Sequence, residues 1–521
     1  MTIQMPATPA VTLGRAQNVQ APISQAACLL ARHQFRSLEQ WLYAGESQLM
    51  GLRSIELGEE GRGREILRLL LQAHIDGRGR GDVGPAIEVS RPEHPETTVL
   101  YRQKRARGRN ILTIFGEVRV ERARYASRRG DTNVYPLDEQ LQLPHRSYSH
   151  ELQRRVNKEA VQGPFDEAIE SLREATGVRI PKRSAEDIVV EAGVDFESFY
   201  VCREVEHPEG SGPILVGSVD CKGIPMVKPQ PAEKQVRRGK GQKANKKKMA
   251  TVAAVYTQQP RVRTPEDVIK SLFDTDRERT KKSERFPGPE RKRVWASLVA
   301  GKDAFIQDVK KEMDRRDPRE AKNRVVVTDG ERALQIRVCA TMKGIRLILD
   351  FLHALEKLWI CAHVFHPEGS SQAVGFVQER ALRILRGGVS QVVKGLRQIT
   401  TKRKLKGKKR KTLLNVAAYY YRNRSRMRYH EYLAEGLPIA SGSVEGACKN
   451  LIKDRMERSG MRWTFTGAEA MVKMRAIYLS GDFDEYWDYH VDQEQARLYP
   501  KGLWRSTMVT SQVSGEKPQC S

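Results

Sequence analysis

The sequence predicts an α/β catalytic domain interrupted by an all-α insertion and preceded by helical and β-hairpin regions. Apolar, β-branched runs alternate with amphipathic stretches between about 211 and 365, the pattern of strands and helices packed in layers. Two of those runs close on an aspartate, Asp220 in "ILVGSVD" and Asp329 in "RVVVTDG". A third acidic residue, Glu445 in "SGSVEGACKN", opens a helix-like stretch. A carboxylate at the end of a buried strand is unfavourable unless a cation meets it. Converging carboxylates repel one another, and a divalent ion removes that conflict. The rest of the chain has the opposite sign: 91 Lys and Arg against 64 Asp and Glu give a formal net charge of +27. An acidic centre in a polycationic chain points to an enzyme that cuts or joins nucleic acid.

The elements follow in order. Residues 1–25 read as disordered. Helical patterns over 26–50 and 58–76, the second carrying "REILRLLLQAHID", define an N-terminal helical region that reaches about 95. The Gly/Arg-rich "GRGRGDVGP" leads into a region spanning 96–145, where "RNILTIFGEVRVERARYAS" reads as two strands joined near Gly116, a β-hairpin. From 146 to 205 the pattern is helical, and Ser184 with Asp187 makes a capping box for the third helix. A turn from Gly177 to Pro181 between two short helices suggests a DNA-binding helix-turn-helix. A plain three-helix bundle is the alternative, because Glu186, Asp187 and Glu191 disfavour a base-reading helix.

The catalytic region begins near 211. "PILVGSVD", "MATVAAVYTQ" (249–258) and "RVWASLVA" (293–300) read as strands. "DAFIQDVKKEMDRR" is an amphipathic helix with Phe305, Val309 and Met313 at spacings of four. "RVVVTD", "GERALQIRVCATM" and "IRLILD" follow as strand, helix and strand. The order βββαβαβα is that of a ribonuclease-H-like domain, assigned here to 211–365 and 436–492. The intervening 366–435, with "TKRKLKGKKRK" (401–411) and "YYYRNRSRMRYH" (419–430), reads as a helical insertion. The tail from 500 to 521 reads as disordered.

Composition excludes other classes. A hydrophobic content of 39% supports packed cores rather than a disordered chain. Seven cysteines with no CxxC pair suit a reduced, intracellular protein. The first residues lack a charged region followed by an apolar core, so no secretory signal is expected. The longest apolar stretch, Ile345 to Phe365, is broken by Asp350, His353, Glu356 and Lys357, which marks a strand and a buried helix rather than a membrane span. A cytoplasmic, nucleoid-associated protein without a membrane partner is expected.

Strand-end Asp220, strand-end Asp329 and helical Glu445 form the arrangement of two-metal phosphoryl-transfer sites. Oxygen ligands suit Mg²⁺ or Mn²⁺, as two ions about 3.5–4 Å apart. The structural alternatives are strand-end turn residues for the aspartates and a helix N-terminal residue for Glu445. Asp350 and His353, spaced D-x-x-H, are either an accessory pair beside the metals on one helix face or an N-cap and a core histidine. Candidate DNA contacts are Arg237, Arg238, Lys240, Lys246 and Lys247 in the run 234–248, and Lys449, Lys453, Arg455 and Arg462 after Glu445. Lys449, Lys453 and Met456 are expected on one helix face. Trp463 either stacks on an unpaired base or packs in a core. Cys361, His363 and His366 lack a fourth ligand and read as helix residues rather than a zinc site.

"SVDCKGI", "VVVTDG", "LDFLHALEKLW", "SGSVEGACKNLIKDRM" followed by "RW", and "GDFDEYW" closely resemble insertion-sequence transposases of the ISKra type, DDE enzymes distantly related to the Mutator-like group. The resemblance runs from about 97 to 492 and includes "FGEVRVERARY", "YPLDEQLQLP", "FDEAIESLREATGVRIPKR" and "KRVWASL". It implies a triad of Asp220, Asp329 and Glu445, strand cleavage at element ends, and transfer of the freed 3′-OH into target DNA. It also implies double-stranded DNA as partner and assembly as at least a dimer on paired ends. Asp350 and His353 look like the C/D-x-x-H signature of Mutator-like transposases. Cys221 stands where the family usually has glycine. Two other readings are a non-catalytic DNA-binding protein derived from a transposase and a structure-specific nuclease on the same fold.

Overall fold

The computed structural model describes residues 28–91, 94–203, 211–227, 247–273 and 288–507. The chain forms two compact units. The first comprises Met1–Arg155, Ser171–Arg179 and Val491–Ser521, and the second Val156–Glu170 and Ile180–His490.

In the first unit the helices Leu29–Tyr43 and Leu52–Gly77 accompany an antiparallel sheet of β1 (Ala86–Arg91), β2 (His94–Thr113), β3 (Gly116–Ala126) and the short strand Trp504–Ser506. The expected hairpin is β2–β3, closed by Thr113 opposite Gly116. Gly116 has φ 121°, a conformation that side-chain-bearing residues rarely adopt. Ile75 of the second helix packs with Val118 and Val120 of β3. The strand β1 was not anticipated; it contributes Ile87 and Val89 to a core that also holds Tyr101 and Tyr125. Trp504–Ser506 pairs with Ile87–Val89, and the Trp504 indole donates to Glu139 at 2.7 Å. That pairing corrects the reading of everything beyond 500 as a disordered tail: an apolar residue that completes a sheet edge orders the segment around it. Residues 1–27 and 508–521 lie outside the described residues.

The second unit is built on β4 (Ile214–Ile224), β5 (Lys248–Gln258), β6 (Glu290–Ser297), β7 (Asn323–Thr328) and β8 (Arg346–Leu349), in the spatial order β6-β5-β4-β7-β8. The first three run antiparallel, whereas β4–β7 and β7–β8 are parallel. Helices precede both parallel additions, Lys302–Arg316 before β7 and Arg332–Thr341 before β8. Phe305, Val309 and Met313 are all buried, as their spacing predicts. Gly217 of β4 admits Met313, since a Cβ there would stand 3.0 Å from Sδ. One helix in this unit, Pro265–Phe273, was not anticipated. Thr264 and Asp267 cap it reciprocally, the Asp267 N–H donating to Thr264 Oγ1 at 3.1 Å and the Thr264 N–H to Asp267 Oδ2 at 2.9 Å. That T-x-x-D spacing was a legible start signal.

The expected helix-turn-helix does not stand as a separate module: Gly177 groups with the first unit, and 180–202 with the second. Helix Lys182–Ala192 buries Ala185, Ile188, Val189 and Ala192 and packs on helix Phe465–Ser480. On its outer side Arg183 pairs with Glu186 and Asp187. Pro181 occupies its N-cap, so Ser184 lies inside the first turn and makes no capping box.

The helices Ser371–Leu385, Val389–Lys402, Gly407–Asn423 and Tyr429–Ala434 form the insertion. Their apolar faces join the core of the sheet, where Val377, Leu396, Leu413 and Tyr420 lie in one cluster with Val325, Val327 and Ile348. Among the described residues no helix is long and apolar enough to cross a membrane. The six described cysteines are free.

Candidate active site

Strand pairing sets the site. Val219 of β4 lies opposite Thr328 of β7, and Thr328 lies opposite Leu349 of β8. Each of these three residues is followed by an aspartate: Asp220, Asp329 and Asp350. Neighbouring strands are about 4.8 Å apart, so three acid-bearing positions stand in a row across one edge of the parallel half of the sheet. The Asp350 N–H donates to Thr328 O at 2.8 Å, which carries the row one residue past the last paired position.

The expectation that Asp220 ends its strand is corrected. β4 runs on to Ile224, because β5 continues to pair with it after β7 has stopped, with Asp220 opposite Val252 and Ile224 opposite Lys248. Asp220 therefore sits where the parallel neighbour ends. Its Oδ1 accepts the Cys221 N–H at 2.7 Å, and its Oδ2 accepts the Cys448 thiol at 3.2 Å. Burial, reinforced by Asp220, pushes the Cys448 pKa far up and keeps it a donor. Burial, with Glu331 adding to it, holds the Cys221 thiol at about 11, so this departure from glycine leaves a neutral side chain.

Asp329 directly follows β7, as expected. Its Oδ1 accepts the Glu331 N–H at 2.8 Å, and its carbonyl accepts the Tyr419 hydroxyl at 2.9 Å. Burial raises the Asp329 carboxyl above the ordinary aspartate range, and the neighbouring Asp220 charge raises it further. Gly330 has φ 90°, and a Cβ there would meet Tyr419 Oη at 2.5 Å and Leu349 Cδ1 at 2.8 Å, so only glycine lets Tyr419 reach Asp329.

Glu445 lies in the helix Gly442–Ala447, which packs on β4 and β5 and passes into a π-helical turn, Cys448–Lys453. Its side chain is outside the described residues. Among the described residues no three His, Cys, Asp or Glu side chains cluster as a metal site. Asp220 and Asp329 supply two oxygen-donor carboxylates, and burial with the Asp220 charge presses Asp329 toward a cation; such a donor pair fits a hard divalent ion.

Asp350 is fully buried and does not share a helix face with His353; it caps the helix Phe351–Ala362, accepting the Leu352 N–H at 2.7 Å. Its Oδ2 accepts from the Ser441 N–H at 2.8 Å and from the Ser441 hydroxyl. Burial pushes this carboxyl up, but His353 and Ser441 together outweigh it and leave it below the ordinary range. His353 is half-buried rather than a core residue, and its Nδ1 lies 3.8 Å from Asp350 Oδ2. The Asp350 carboxylate beside it holds the imidazole up to about 9. The stability His353 contributes is complete below its ordinary value of 6.5 and is lost as pH rises through about 9. An NMR titration is expected to place its midpoint near 9, and in Asp350→Asn distinctly lower. A midpoint unmoved by that substitution would remove Asp350 as the cause.

The expected DNA contacts divide. Arg237, Arg238, Lys240 and Lys246 lie outside the described residues. Lys247 pairs with Glu457 at 2.5 Å. Lys449, Lys453 and Arg462 are exposed. Met456 is buried, so it does not share their face; the π-helical turn resets the angular spacing. Arg455 is corrected as a DNA contact, being 0% exposed. Its Nε donates to Ala160 O at 2.7 Å, and its guanidinium stacks between Phe165 and Trp463. Burial drives its pKa down to about 9. Trp463, 7% exposed, is corrected as a DNA contact and takes its other reading, a core residue: its indole donates to Met456 O at 3.0 Å. Arg455→Leu is expected to lower Tm while leaving the salt dependence of DNA binding unchanged. A slope shallower by about 0.9 would restore Arg455 as a phosphate contact.

Cys448, Tyr419 and Ser441 were not anticipated at the site. Cys448 carried a signal, standing three residues after Glu445 on a helical pattern. Tyr419 carried none, because its target is a backbone carbonyl 90 residues away in the chain.

Residues 94–211 match the model of an uncharacterised protein family, UPF0236, and that segment ends before Asp220. No curated protein matches the chain.

Proposed function

We propose that the chain is a DNA transposase of the ISKra type. It would cleave one strand at the end of a mobile element and join the freed 3′-OH to target DNA. The observation that carries this reading is the pairing register of β4 and β7, in which Asp220 and Asp329 each directly follow the last parallel pair, Val219 opposite Thr328. The sheet order β6-β5-β4-β7-β8, antiparallel on one side of β4 and parallel on the other, supports a ribonuclease-H-like catalytic fold.

Asp220, Asp329 and Glu445 would hold two Mg²⁺ or Mn²⁺ ions, which when bound supply charge neutralisation at the phosphate and an acidified oxygen nucleophile. The chain's own residues position the ligands. The Cys448 thiol orients Asp220 Oδ2, and the Glu331 N–H with the Tyr419 hydroxyl fixes Asp329 at both side chain and carbonyl. His353, cationic at neutral pH, sets a positive charge near Asp329, one that attracts a phosphodiester. Asp350 acts through others: it holds His353 charged and ties Ser441, at the entry to the Glu445 helix, to the sheet. Assembly as a homo-oligomer on paired DNA ends belongs to the same proposal.

The test is strand cleavage of a plasmid carrying the DNA that flanks this gene, with Mg²⁺, with EDTA, and with Asp329→Asn. Metal-dependent nicks at discrete positions with joined products are expected. Nicks without joined products would leave a nuclease, and retarded but uncut DNA would leave a DNA-binding protein.

A further inference from the structure

We propose that the helix Gly407–Asn423 is a track for double-stranded DNA leading out from Asp329; this rests on the phosphodiester chemistry proposed above. Between Arg380 and His430 the chain holds 17 Lys and Arg and no Asp or Glu. Arg380, Arg383, Arg386 and Arg428 find carboxylates at Glu379, Glu266 and Glu431. The others form no ion pair among the described residues. A run of cations with no internal counter-charge, folded onto ordered helices, leaves its neutralisation to a polyanion.

The placement is what makes this a track rather than a sticky surface. The last turns of the helix are pinned at the site: Tyr419 Oη donates to Asp329 O at 2.9 Å, and Tyr420 Oη donates to Ala354 O at 2.6 Å. From Tyr419 back to Gly407 the helix reaches about 18 Å at ~1.5 Å per residue. Leu413, Val416, Ala417 and Tyr420 bury one side. The opposite side, at helical spacing, presents Lys408, Lys411, Asn415, Ala418 and Arg422, all exposed. Cations stand at both ends of this stripe and small side chains stand between them, which lets a phosphate backbone approach closely.

A duplex suits the stripe better than a single strand. Single-strand sites use free aromatic faces as stacking platforms, and the stripe has none. The exposed aromatic nearby, Tyr421, is 48% exposed, but the Arg424 guanidinium lies 4.2 Å from its ring centroid and Arg397 lies 5.6 Å from it. Tyr421 thus orders two guanidiniums at the flank of the helix.

The experiment uses the full chain in EDTA, with binding of a random-sequence duplex followed by fluorescence anisotropy between about 50 and 200 mM KCl. Combined Lys408→Gln, Lys411→Gln and Arg422→Gln is expected to make the slope of log K against log salt shallower by about 2.7, at 0.9 for each phosphate contact. Its Tm is expected to stay unchanged, since glutamine keeps helix propensity and none of the three is buried. Asp329→Asn is expected to keep the wild-type slope. A triple variant with the wild-type affinity and slope would overturn the track. Tighter binding to a single strand of equal length, lost in Tyr421→Ala, would overturn the duplex assignment. A wild type that binds through the three cations but never cuts DNA with Mg²⁺ would sink the transposase reading and leave the track standing.

Discussion

Asp329→Asn is expected to abolish metal-dependent strand cleavage while sparing DNA binding. Asparagine keeps the size of the side chain and an oxygen for the Glu331 N–H, so the local fold survives. What disappears is the charge that, in the proposed site, would join Asp220 in attracting a divalent ion. Loss of an outer-shell partner of a metal ligand costs about 10–100-fold, and loss of a ligand itself should exceed that range. A second readout separates chemistry from folding. The Asp329 carboxyl is raised by burial and by Asp220, so its ionised form at neutral pH strains the metal-free protein. The variant should therefore melt at or above the wild-type temperature in EDTA. Added Mg²⁺ or Mn²⁺ should stabilise the wild type by ligand linkage and the variant little or not at all. A wild type whose Tm ignores both metals, together with a variant that still cuts, would remove Asp329 from the site.

Asp350→Ala is expected to be strongly damaging to the stability of the second unit. One fully buried carboxylate caps a helix and receives both the amide and the hydroxyl of Ser441. Removal strands those donors in a dry environment and takes away the largest of the charges that hold His353 protonated. The cost should be about 3 kcal/mol, or roughly 4 °C in Tm. The pH dependence has a definite sign. Because the folded carboxyl lies below its ordinary value of 3.8, its contribution is present above that pH and is lost as pH falls through the folded value. The wild type should therefore lose a stabilising increment on the acid side that Asp350→Ala never has. Denaturation curves at neutral pH and near pH 3 measure both effects, and a variant within a degree of the wild type would show that Ser441 and the helix end find other partners.

The strands β4, β5 and β7 were legible because each buries β-branched residues on both faces: Val325, Val326 and Val327 are all fully buried. The helix Lys302–Arg316 was legible because Phe305, Val309 and Met313 repeat at the helical period. The candidate aspartates were visible for the reason that they sit in apolar context, where a charge has to have a purpose. What could not be read was long-range. Arg455 and Trp463 look like a cation and an aromatic offered to DNA, and nothing local says that Phe165 and the Ala160 carbonyl, almost 300 residues earlier, will enclose them. The short strand Trp504–Ser506 was missed because three residues carry no period; its partner strand alone makes it a strand. The π-helical turn at Cys448–Lys453 likewise has no compositional mark, and it alone separates Met456 from the lysines expected beside it.

Because Asp220, Asp329 and Asp350 are aligned by parallel strand pairing, their alignment is an integer property of the chain. Successive residues of a strand point to opposite faces, so no fractional error is available. Deleting one residue within β7 would move Asp329 along the sheet by about 3.3 Å and turn its side chain to the other face. A valine would still stand at each of the shifted core positions, since three of them stand in sequence, and the sheet would still form. A gene copy carrying such a deletion would encode a folded protein with two of the three acids in line. If the chain acts as the transposase proposed above, frame-preserving slips in β4, β7 or β8 should abolish cleavage while leaving DNA binding, and such copies would compete for element ends with active ones.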